Sequence, residues 1–430
     1  MKLGIIGSGH VGLVTGACFA NLGHEVSCID QDPRKINMLK KGKTPIYEPG
    51  LTEMIQSNLR QKRLSFGLDI AQAVKRAEVL FVCVGTPPKD NGEADLTAVE
   101  SVSREIARIM TCYRLVVDKS TVPVQTGEWV HRTMKLERRK KVDFDVASNP
   151  EFLREGSAVK DFLFPDRIVL GVESKRAEKI LRELYSPLKA PLLVTDIKSA
   201  ELIKHASNSF LAAKISFINV VSQVCEAVGA DIQKVAQGMG LDRRIGASFL
   251  NAGIGFGGFC FPKDLSAFIR IGEKLGVDLG LLREVLSINE KQKKNFVAKI
   301  EKQLWNLKGK SMGVLGLSFK ADTDDMRFAP SIDIVNDLLK EQTRLKLYDP
   351  QAMALAKEIF PKGVIYVGNP YEAAKDADAL LVLTEWPEFL EIDFKRVKKL
   401  MRNPFIFDGR NLYDKEKMKK LGFHYFGVGR

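Results

Sequence analysis

Histidine and tryptophan are scarce in this chain, five and three among 430 residues, and long apolar runs are missing. No stretch of about 18 or more consecutive apolar residues occurs, the length that a membrane-spanning helix requires. The first apolar strand starts almost at residue 1 with no cationic leader before it, so the expectation is a soluble cytoplasmic protein that does not engage a membrane. The six cysteines, at positions 18, 28, 83, 112, 225 and 260, contain no Cys-x-x-Cys pair, and four lie in apolar strand or helix patterns. A reducing compartment and the absence of a structural metal are expected from that usage, with Cys28 and Cys83 as small core residues. No low-complexity tract or short repeat breaks the pattern. The formal charge of +13 raises nucleic acid as a partner. However, the basic residues are dispersed and no aromatic-interleaved basic patch occurs, so anionic small molecules account for the excess as well and no nucleic acid is expected. At about 150 residues per domain, the length suggests two to three domains.

The N-terminus carries strand, turn, helix, strand and acid in that order. Lys2-Leu3-Gly4-Ile5-Ile6 leads into Gly7-Ser8-Gly9-His10-Val11-Gly12, a helical stretch follows, and Glu25-Val26-Ser27-Cys28-Ile29 ends in Asp30. Gly7 permits the tight turn, Gly9 lets backbone approach a pyrophosphate, and Gly12 lets helix and strand pack closely, while the helix start offers unpaired N–H donors. Asp30 would accept the adenosine ribose hydroxyls, which favours NAD over NADP even though Arg34 and Lys35 follow closely.

Further apolar runs end in polar residues: Val79 to Val84 into Gly85-Thr86-Pro87, Leu115 to Lys119 into Ser120-Thr121-Val122-Pro123, and Asp145 to Ser148 into Asn149-Pro150-Glu151. Short apolar runs between helical stretches read as buried parallel strands, whose ligands bind at the carboxyl ends. Thr86, Thr121 and Glu151 are therefore expected in one crevice. From Ser199 to about Gly229 the spacing predicts a helix of about 45 Å, long enough to link two domains and leave a face for a partner subunit. Lys204 and Asn208 project from one face of it. Helices from Pro262 to Gly276 and from Leu279 to Leu304 follow. A second α/β unit begins at Lys310, with strands at Met312–Leu317, Leu345–Asp349, Ala379–Thr384 and Phe405–Asp408. Its first loop carries Ser318-Phe319-Lys320 and Arg327, and its last strand runs into Arg410. The architecture expected is α/β: a Rossmann-type doubly wound parallel sheet (1–198), a central helical region with one long helix (199–305) and a second Rossmann-like α/β domain (306–430).

Between these regions lies Gly255-Phe256-Gly257-Gly258-Phe259-Cys260-Phe261-Pro262-Lys263-Asp264. Pro262 suits a first helical turn, so Cys260 falls at or just before a helix N-terminus, where the dipole and Lys263 favour thiolate and Asp264 could take or relay a proton. A half-buried cysteine capping a glycine turn, or an acid/base pair without thiol chemistry, remains open on these residues alone.

Together these segments resemble the UDP-glucose 6-dehydrogenase branch of the nucleotide-sugar dehydrogenases over essentially the whole chain. The resemblance rests on the glycine turn, Gly85-Thr86-Pro87, Ser120-Thr121-Val122-Pro123, Asn149-Pro150-Glu151-Phe152-Leu153-Arg154-Glu155-Gly156, Lys204 with Asn208, the Cys260 run and Ser318-Phe319-Lys320. One departure is His10, where tyrosine is usual; it reads as a packing variant ahead of a pH sensor.

The resemblance implies two hydride transfers from the C6 alcohol of UDP-glucose to two successive NAD molecules, with the intermediate aldehyde held on Cys260 as a thiohemiacetal and then a thioester. It implies that Lys204 stabilises the oxyanion. Asp264 and Glu151, with Thr121 and alongside Asn208, would hold the water or shuttle the proton. By the same resemblance Gly7, Gly9, His10, Val11, Gly12, Asp30, Lys35, Thr86, Thr121, Glu155, Lys263 and Arg327 contact NAD. Glu151, Phe152, Leu153, Arg154, Glu155, Lys204, Asn208, Phe249, Asn251, Gly257, Lys320 and Arg410 contact the sugar nucleotide. Arg244 would reach the diphosphate of a neighbouring subunit, which makes the enzyme a homodimer or higher homo-oligomer. Glu151 and Glu155, if helical, would share a face at a like-charge cost. A sister dehydrogenase for GDP-mannose or an N-acetylated UDP-sugar, a two-electron hydroxyacid dehydrogenase that does not need Cys260, and an NAD-binding regulator without turnover are the alternatives.

Overall fold

The apolar runs that end in polar residues become strands, and their alternation sorts them onto two faces. In the computed structural model, which describes residues 1–360 and 362–430, the chain forms two compact units. The first comprises Met1–Ser207 with Ser266–Val277; the second comprises Asn208–Leu265 with Asp278–Arg430.

The first unit is built on eight strands: β1 (Lys2–Ile6), β2 (Glu25–Ile29), β3 (Leu64–Gly67), β4 (Val79–Val82), β5 (Arg114–Asp118), β6 (Phe144–Ser148), β7 (Ile168–Val172) and β8 (Leu192–Thr195). They lie in the order β3-β2-β1-β4-β5-β6-β7-β8. Val79 and Phe81 enter one core while Leu80 and Val82 enter the other, and Leu115 and Val117 part from Val116 in the same way. Side chains alternate along a strand, so a run that is apolar throughout needs helices on both faces of its sheet. The strand order reverses between β1 and β4, which opens a crevice at their carboxyl ends. The expected parallel sheet holds from β3 to β6, but β7 runs antiparallel to β6. The segment between them, residues 149–167, forms a loop and the six-residue helix Ala158–Leu163.

The second unit repeats the arrangement with β9 (Ser311–Leu315), β10 (Arg344–Tyr348), β11 (Ile365–Tyr366), β12 (Ala379–Val382), β13 (Phe405–Asp408) and β14 (His424–Phe426). Their order, β11-β10-β9-β12-β13-β14, matches that of the first six strands, and every pair is parallel. Gly316, just past β9, has φ +91, and a Cβ there would lie 2.4 Å from Thr384.

The long helix expected from Ser199 runs from Ile197 to Val228. Among the described residues it is the one helix long and apolar enough to cross a membrane by length and composition, with a mean hydropathy of 1.4. It also buries Glu201, Lys204, His205 and Asn208. Phe210, Phe217, Val224 and Val228 are more than half exposed along it. The first three are seven residues apart and so form one stripe.

Candidate active site

In the first unit Gly7 makes the expected tight turn and Gly12 the expected close packing. Gly7 has φ +98, and a Cβ there would meet the carbonyl of Cys83 at 2.6 Å. Nothing lies within 4 Å of a Cβ built on Gly9, whereas one on Gly12 would fall 1.8 Å from the Gly7 carbonyl oxygen. Open space at Gly9, at the start of the helix His10–Asn21, suits a pyrophosphate. At the end of β2, Asp30 accepts hydrogen bonds from the Ser8 N–H (2.9 Å), the Asp32 N–H (3.0 Å) and Lys35 Nζ (3.0 Å). Burial works against its charge, but these donors outweigh it and hold the carboxyl below its ordinary range. An ionised acceptor beside an open glycine turn fits NAD. Lys35 is committed to Asp30, and the exposed Arg34 lies 3.6 Å from Asp32, so both cations near the ribose position already have carboxylate partners.

His10 does more than pack. Its Nε2 lies 2.8 Å from Glu48, a buried carboxylate that also accepts from the N–H groups of Gly156 (2.8 Å) and Ala158 (2.7 Å). Burial disfavours the imidazolium, but the Glu48 hydrogen bond and the fields of Glu155, Glu48 and Glu151 together raise its pKa. Glu48 thereby ties the nucleotide helix to the turn holding Glu155. Sequence reading missed it, although Glu48-Pro49-Gly50 ahead of the helix Leu51–Arg60 is a visible turn signal.

The three expected residues follow the carboxyl ends of the neighbouring strands β4, β5 and β6, where Thr86 and Thr121 touch and Glu151 makes its contacts elsewhere. Thr86 donates its hydroxyl to the Thr121 carbonyl at 2.9 Å, and Ser120 donates to the Val84 carbonyl at 2.8 Å. The loop with Thr121 is held from the long helix at two points. His205 Nε2 lies 2.8 Å from the Val122 carbonyl, and Glu201 accepts the N–H groups of Gln125 (2.7 Å) and Gly127 (2.8 Å). Burial lifts the Glu201 carboxyl to about 7 against the pull of those two donors. Asp118, buried beneath the loop, is raised well above its ordinary value by burial and by the field of Glu201.

Glu151 accepts from Lys204 Nζ at 2.9 Å and from the Leu153 N–H at 2.6 Å, with both partners of the ion pair about 5% exposed or less. The Lys204 ammonium also sits 5.4 Å from the Phe152 ring. Residues 151–154 are an irregular loop and Glu155 opens a turn, so the helical like-charge cost expected for Glu151 and Glu155 does not arise. The carboxylate of Glu151 instead folds back onto its own loop. Arg154 is exposed and grips Asp161 through two nitrogens at 2.6 and 3.0 Å. A cavity of about 240 Å³ is lined by Lys119, Asn149, Glu151, Phe152, Arg154 and Arg167, among others.

In the second unit, Gly255 and Gly258 adopt φ +103 and +79. A Cβ on Gly257 would lie 2.4 Å from the Phe328 carbonyl, so the chain passes where only glycine fits. The helix Cys260–Leu275 starts at the cysteine, which is neither buried nor fully exposed. Asp264 is fully buried and accepts from Asn208 Nδ2 at 2.6 Å and from the buried Lys263 ammonium. Arg327 chelates Asp325 at 2.7 to 2.9 Å and lies 4.4 Å from the Phe259 ring. Arg410 donates to the carbonyls of Leu383 (2.9 Å), Gly255 (3.1 Å) and Phe319 (3.0 Å), which makes it a tie between loops. Lys320, which follows Phe319, is half-buried, Asn251 is exposed, and Phe249 carries a left-handed φ of +66 next to the Phe261 ring. Arg244 is exposed and paired with Asp242 of its own chain at 2.7 Å. A second hollow of about 620 Å³, lined by Glu290, Lys293, Asp333 and Lys340 among others, contains none of the expected site residues.

Three consecutive family profiles match the chain. They are the NAD binding domain of the UDP-glucose/GDP-mannose dehydrogenase family at residues 1–189, its central domain at 198–291 and its UDP binding domain at 313–415. A UDP-glucose 6-dehydrogenase of Bacillus subtilis is 46% identical over 429 residues, covering 100% of this chain and 93% of that protein. The structure of a UDP-glucose dehydrogenase from Pyrobaculum islandicum superposes with a TM-score of 0.93 at 41% identity, over 100% of this chain and 97% of the other. A UDP-D-ManNAc dehydrogenase from Pyrococcus horikoshii superposes with a TM-score of 0.87 at 27% identity, over 100% and 99%.

Proposed function

The chain belongs to the UDP-glucose/GDP-mannose dehydrogenase family, and from that premise we propose that it oxidises UDP-glucose to UDP-glucuronate, a four-electron oxidation made in two two-electron hydride transfers by way of Cys260. It is an NAD-dependent oxidoreductase. The observation that carries the thiol chemistry is the setting of Cys260. Four of the six cysteines are buried and Cys112 is exposed, whereas Cys260 alone combines partial exposure with the first position of a long helix. That position favours thiolate.

The Gly7 to Gly12 turn and Asp30 would hold NAD, which would supply the hydride acceptor for each of the two oxidation stages, one NAD after another. A carboxylate takes the alcohol proton as the aldehyde forms. The Cys260 sulfur then adds to the aldehyde carbon, and the resulting alkoxide is stabilised by the Lys204 ammonium. Loss of the second hydride from that alkoxide leaves a thioester. Water, activated with Asp264 or Glu151 and positioned by Thr121 and Asn208, displaces the sulfur and yields the carboxylate. Covalent retention explains why the aldehyde does not escape.

The same reading assigns sugar-nucleotide contacts to the loop from Glu151 to Glu155, to Phe249, Asn251, Gly257 and Lys320, and cofactor contacts to His10, Val11, Lys35, Thr86, Lys263 and Arg327. The division at 198/199 and 305/306 separates cofactor, helical and UDP-sugar segments. The enzyme is cytoplasmic and a homodimer or higher homo-oligomer in this proposal. The exposed stripe of Phe210, Phe217 and Val224 is the apolar face that a second copy would cover, and Arg244 is the residue offered to the partner's diphosphate.

The test is NADH formed per UDP-glucose consumed in excess NAD, repeated with Cys260→Ser. Two NADH per UDP-glucuronate, with turnover lost in the variant, is the expected result. One NADH with an indifferent variant refutes the thioester route, and turnover only with an N-acetylated UDP-sugar or GDP-mannose transfers the chemistry to a sister substrate.

A further inference from the structure

Lys119, the first residue after β5, is 4% exposed. Burying an ammonium costs several kcal/mol unless a counter-charge compensates. Yet no ion pair of Lys119 occurs among the described residues. Its nitrogen donates to two oxygens of one neutral residue, the side-chain oxygen of Asn149 at 2.9 Å and its carbonyl at 3.4 Å. A methionine or leucine would cover the same apolar ground without that cost, so the charge calls for a reason.

Asn149 supplies one. Its N–H donates to the Asp118 carbonyl at 2.8 Å, its Nδ2 donates to the Val169 carbonyl at 2.8 Å, and its Oδ1 also accepts the Tyr185 hydroxyl. Every polar atom of Asn149 is therefore engaged. Pro150, which follows, has no N–H to donate, so the approach to Glu151 is fixed through Asn149. Lys119, Asn149 and Glu151 line the same 240 Å³ cavity.

We propose that Lys119 is a positioning residue for the reaction: its ammonium anchors the Asn149–Pro150–Glu151 turn and places a second positive charge, besides Lys204, within the field of the Glu151 carboxylate. No role for this lysine follows from the motifs above, and the inference rests on the function proposed for the chain. The charged and titratable groups around it are Cys83 after β4, Glu151 after β6, Lys204 on the long helix and Tyr185 on the helix Lys175–Tyr185. Burial pushes the Lys119 ammonium down to about 8, with Cys83 and Glu151 favouring its charge and Lys204 opposing it. As pH rises through that value the lysine loses its proton, and turnover falls with it.

The experiment compares the pH dependence of kcat and kcat/KM for UDP-glucose in the wild type, Lys119→Met and Lys119→Arg. The wild type is expected to show an alkaline limb near pH 8. Lys119→Met should lose about tenfold in kcat at neutral pH, the effect of removing one neighbouring charge, and should lack that limb. Lys119→Arg, which stays charged, should retain more of kcat and keep it to higher pH. NAD binding and thermal melts check that each variant is folded, and Lys119→Gln replaces the methionine variant if it is not. A wild type that does not oxidise UDP-glucose overturns the functional reading and this inference with it. An active wild type whose alkaline limb persists unchanged in both the neutral variant and Lys119→Arg overturns this inference alone.

Discussion

Glutamine in place of Glu201 tests the clamp on the Thr121 loop, because the carboxylate has two opposing effects there. It is 2% exposed and accepts the Gln125 and Gly127 N–H groups, the amides at the start of the helix Thr126–Glu137. Two good hydrogen bonds and a favourable helix end stabilise the loop. Burial nevertheless moves the carboxyl from its ordinary 4.5 to about 7. At about 1.36 kcal/mol per pH unit, that displacement corresponds to about 3 kcal/mol. The folded chain holds the proton more tightly than the unfolded one. This contribution to stability is therefore complete below about 4.5 and is lost as pH rises through about 7.

The Glu201→Gln protein has nothing to ionise at that position and escapes the loss. Its amide, like the protonated carboxyl of the wild type at acid pH, presents one good acceptor oxygen to the two N–H groups. The variant should therefore be about as stable as the wild type at acid pH and should exceed it at mildly alkaline pH. The difference between the two should change by about 3 kcal/mol across that range. Asp118, whose carboxyl is raised partly by the field of Glu201, shifts the difference in the same direction. Urea unfolding followed by circular dichroism at pH about 5 and about 8 measures it, and titrations elsewhere in the chain cancel in the comparison. A wild-type-minus-variant difference that is the same at both pH values would refute the reasoning.

Lys204→Met leaves the Glu151 carboxylate buried without its 2.9 Å partner and should cost about 3 kcal/mol in urea unfolding along with turnover. Adding Glu151→Gln should restore stability but not kcat, and additive losses would count against the pairing. His10→Tyr removes an imidazolium whose pKa the Glu48 contact raises. Below its ordinary 6.5 the wild type has the full benefit of that pair and loses it as pH rises through the raised value, so thermal melts of the wild type should decline there more steeply than those of the variant. Phe217→Glu, in the middle of the exposed stripe, should convert a dimer to monomers in sedimentation equilibrium, whereas an unchanged mass would move the interface elsewhere. Asp30→Ala should raise KM for NAD at least about tenfold while affecting NADP less, which initial rates with the two cofactors would read directly.

Periodicity and punctuation made much of the fold legible. Strands β1, β2, β4, β5, β6, β9, β10, β12 and β13 fall within the apolar-rich runs, and a central strand such as β4 is apolar throughout because it is covered on both faces. The long helix and the helix beginning at Cys260 were equally visible. By contrast, β3, β7, β8, β11 and β14 were not identified. β8 and β11 are short and partly exposed edge strands, and so carry a weak signal. The antiparallel turn at β7 depends on the path of a connection, which composition does not encode.

The sequence by itself determined the chemistry available: a glycine turn with an acid after the next strand, a cysteine at a helix start, and Thr86, Thr121 and Glu151 at neighbouring strand ends. Those features are local, so spacing of a few residues along the chain reveals them. Only the tertiary structure decided which carboxylates hold the site. Glu48 meets the Gly156 and Ala158 amides 108 and 110 residues away, Glu201 caps a helix 74 residues before it, and Lys119 finds Asn149 from a neighbouring strand end. Nothing in the flanking sequence of a glutamate or a lysine separates a solvated side chain from a buried one. The difference arises when packing removes water and leaves each charge to find its partner across the fold.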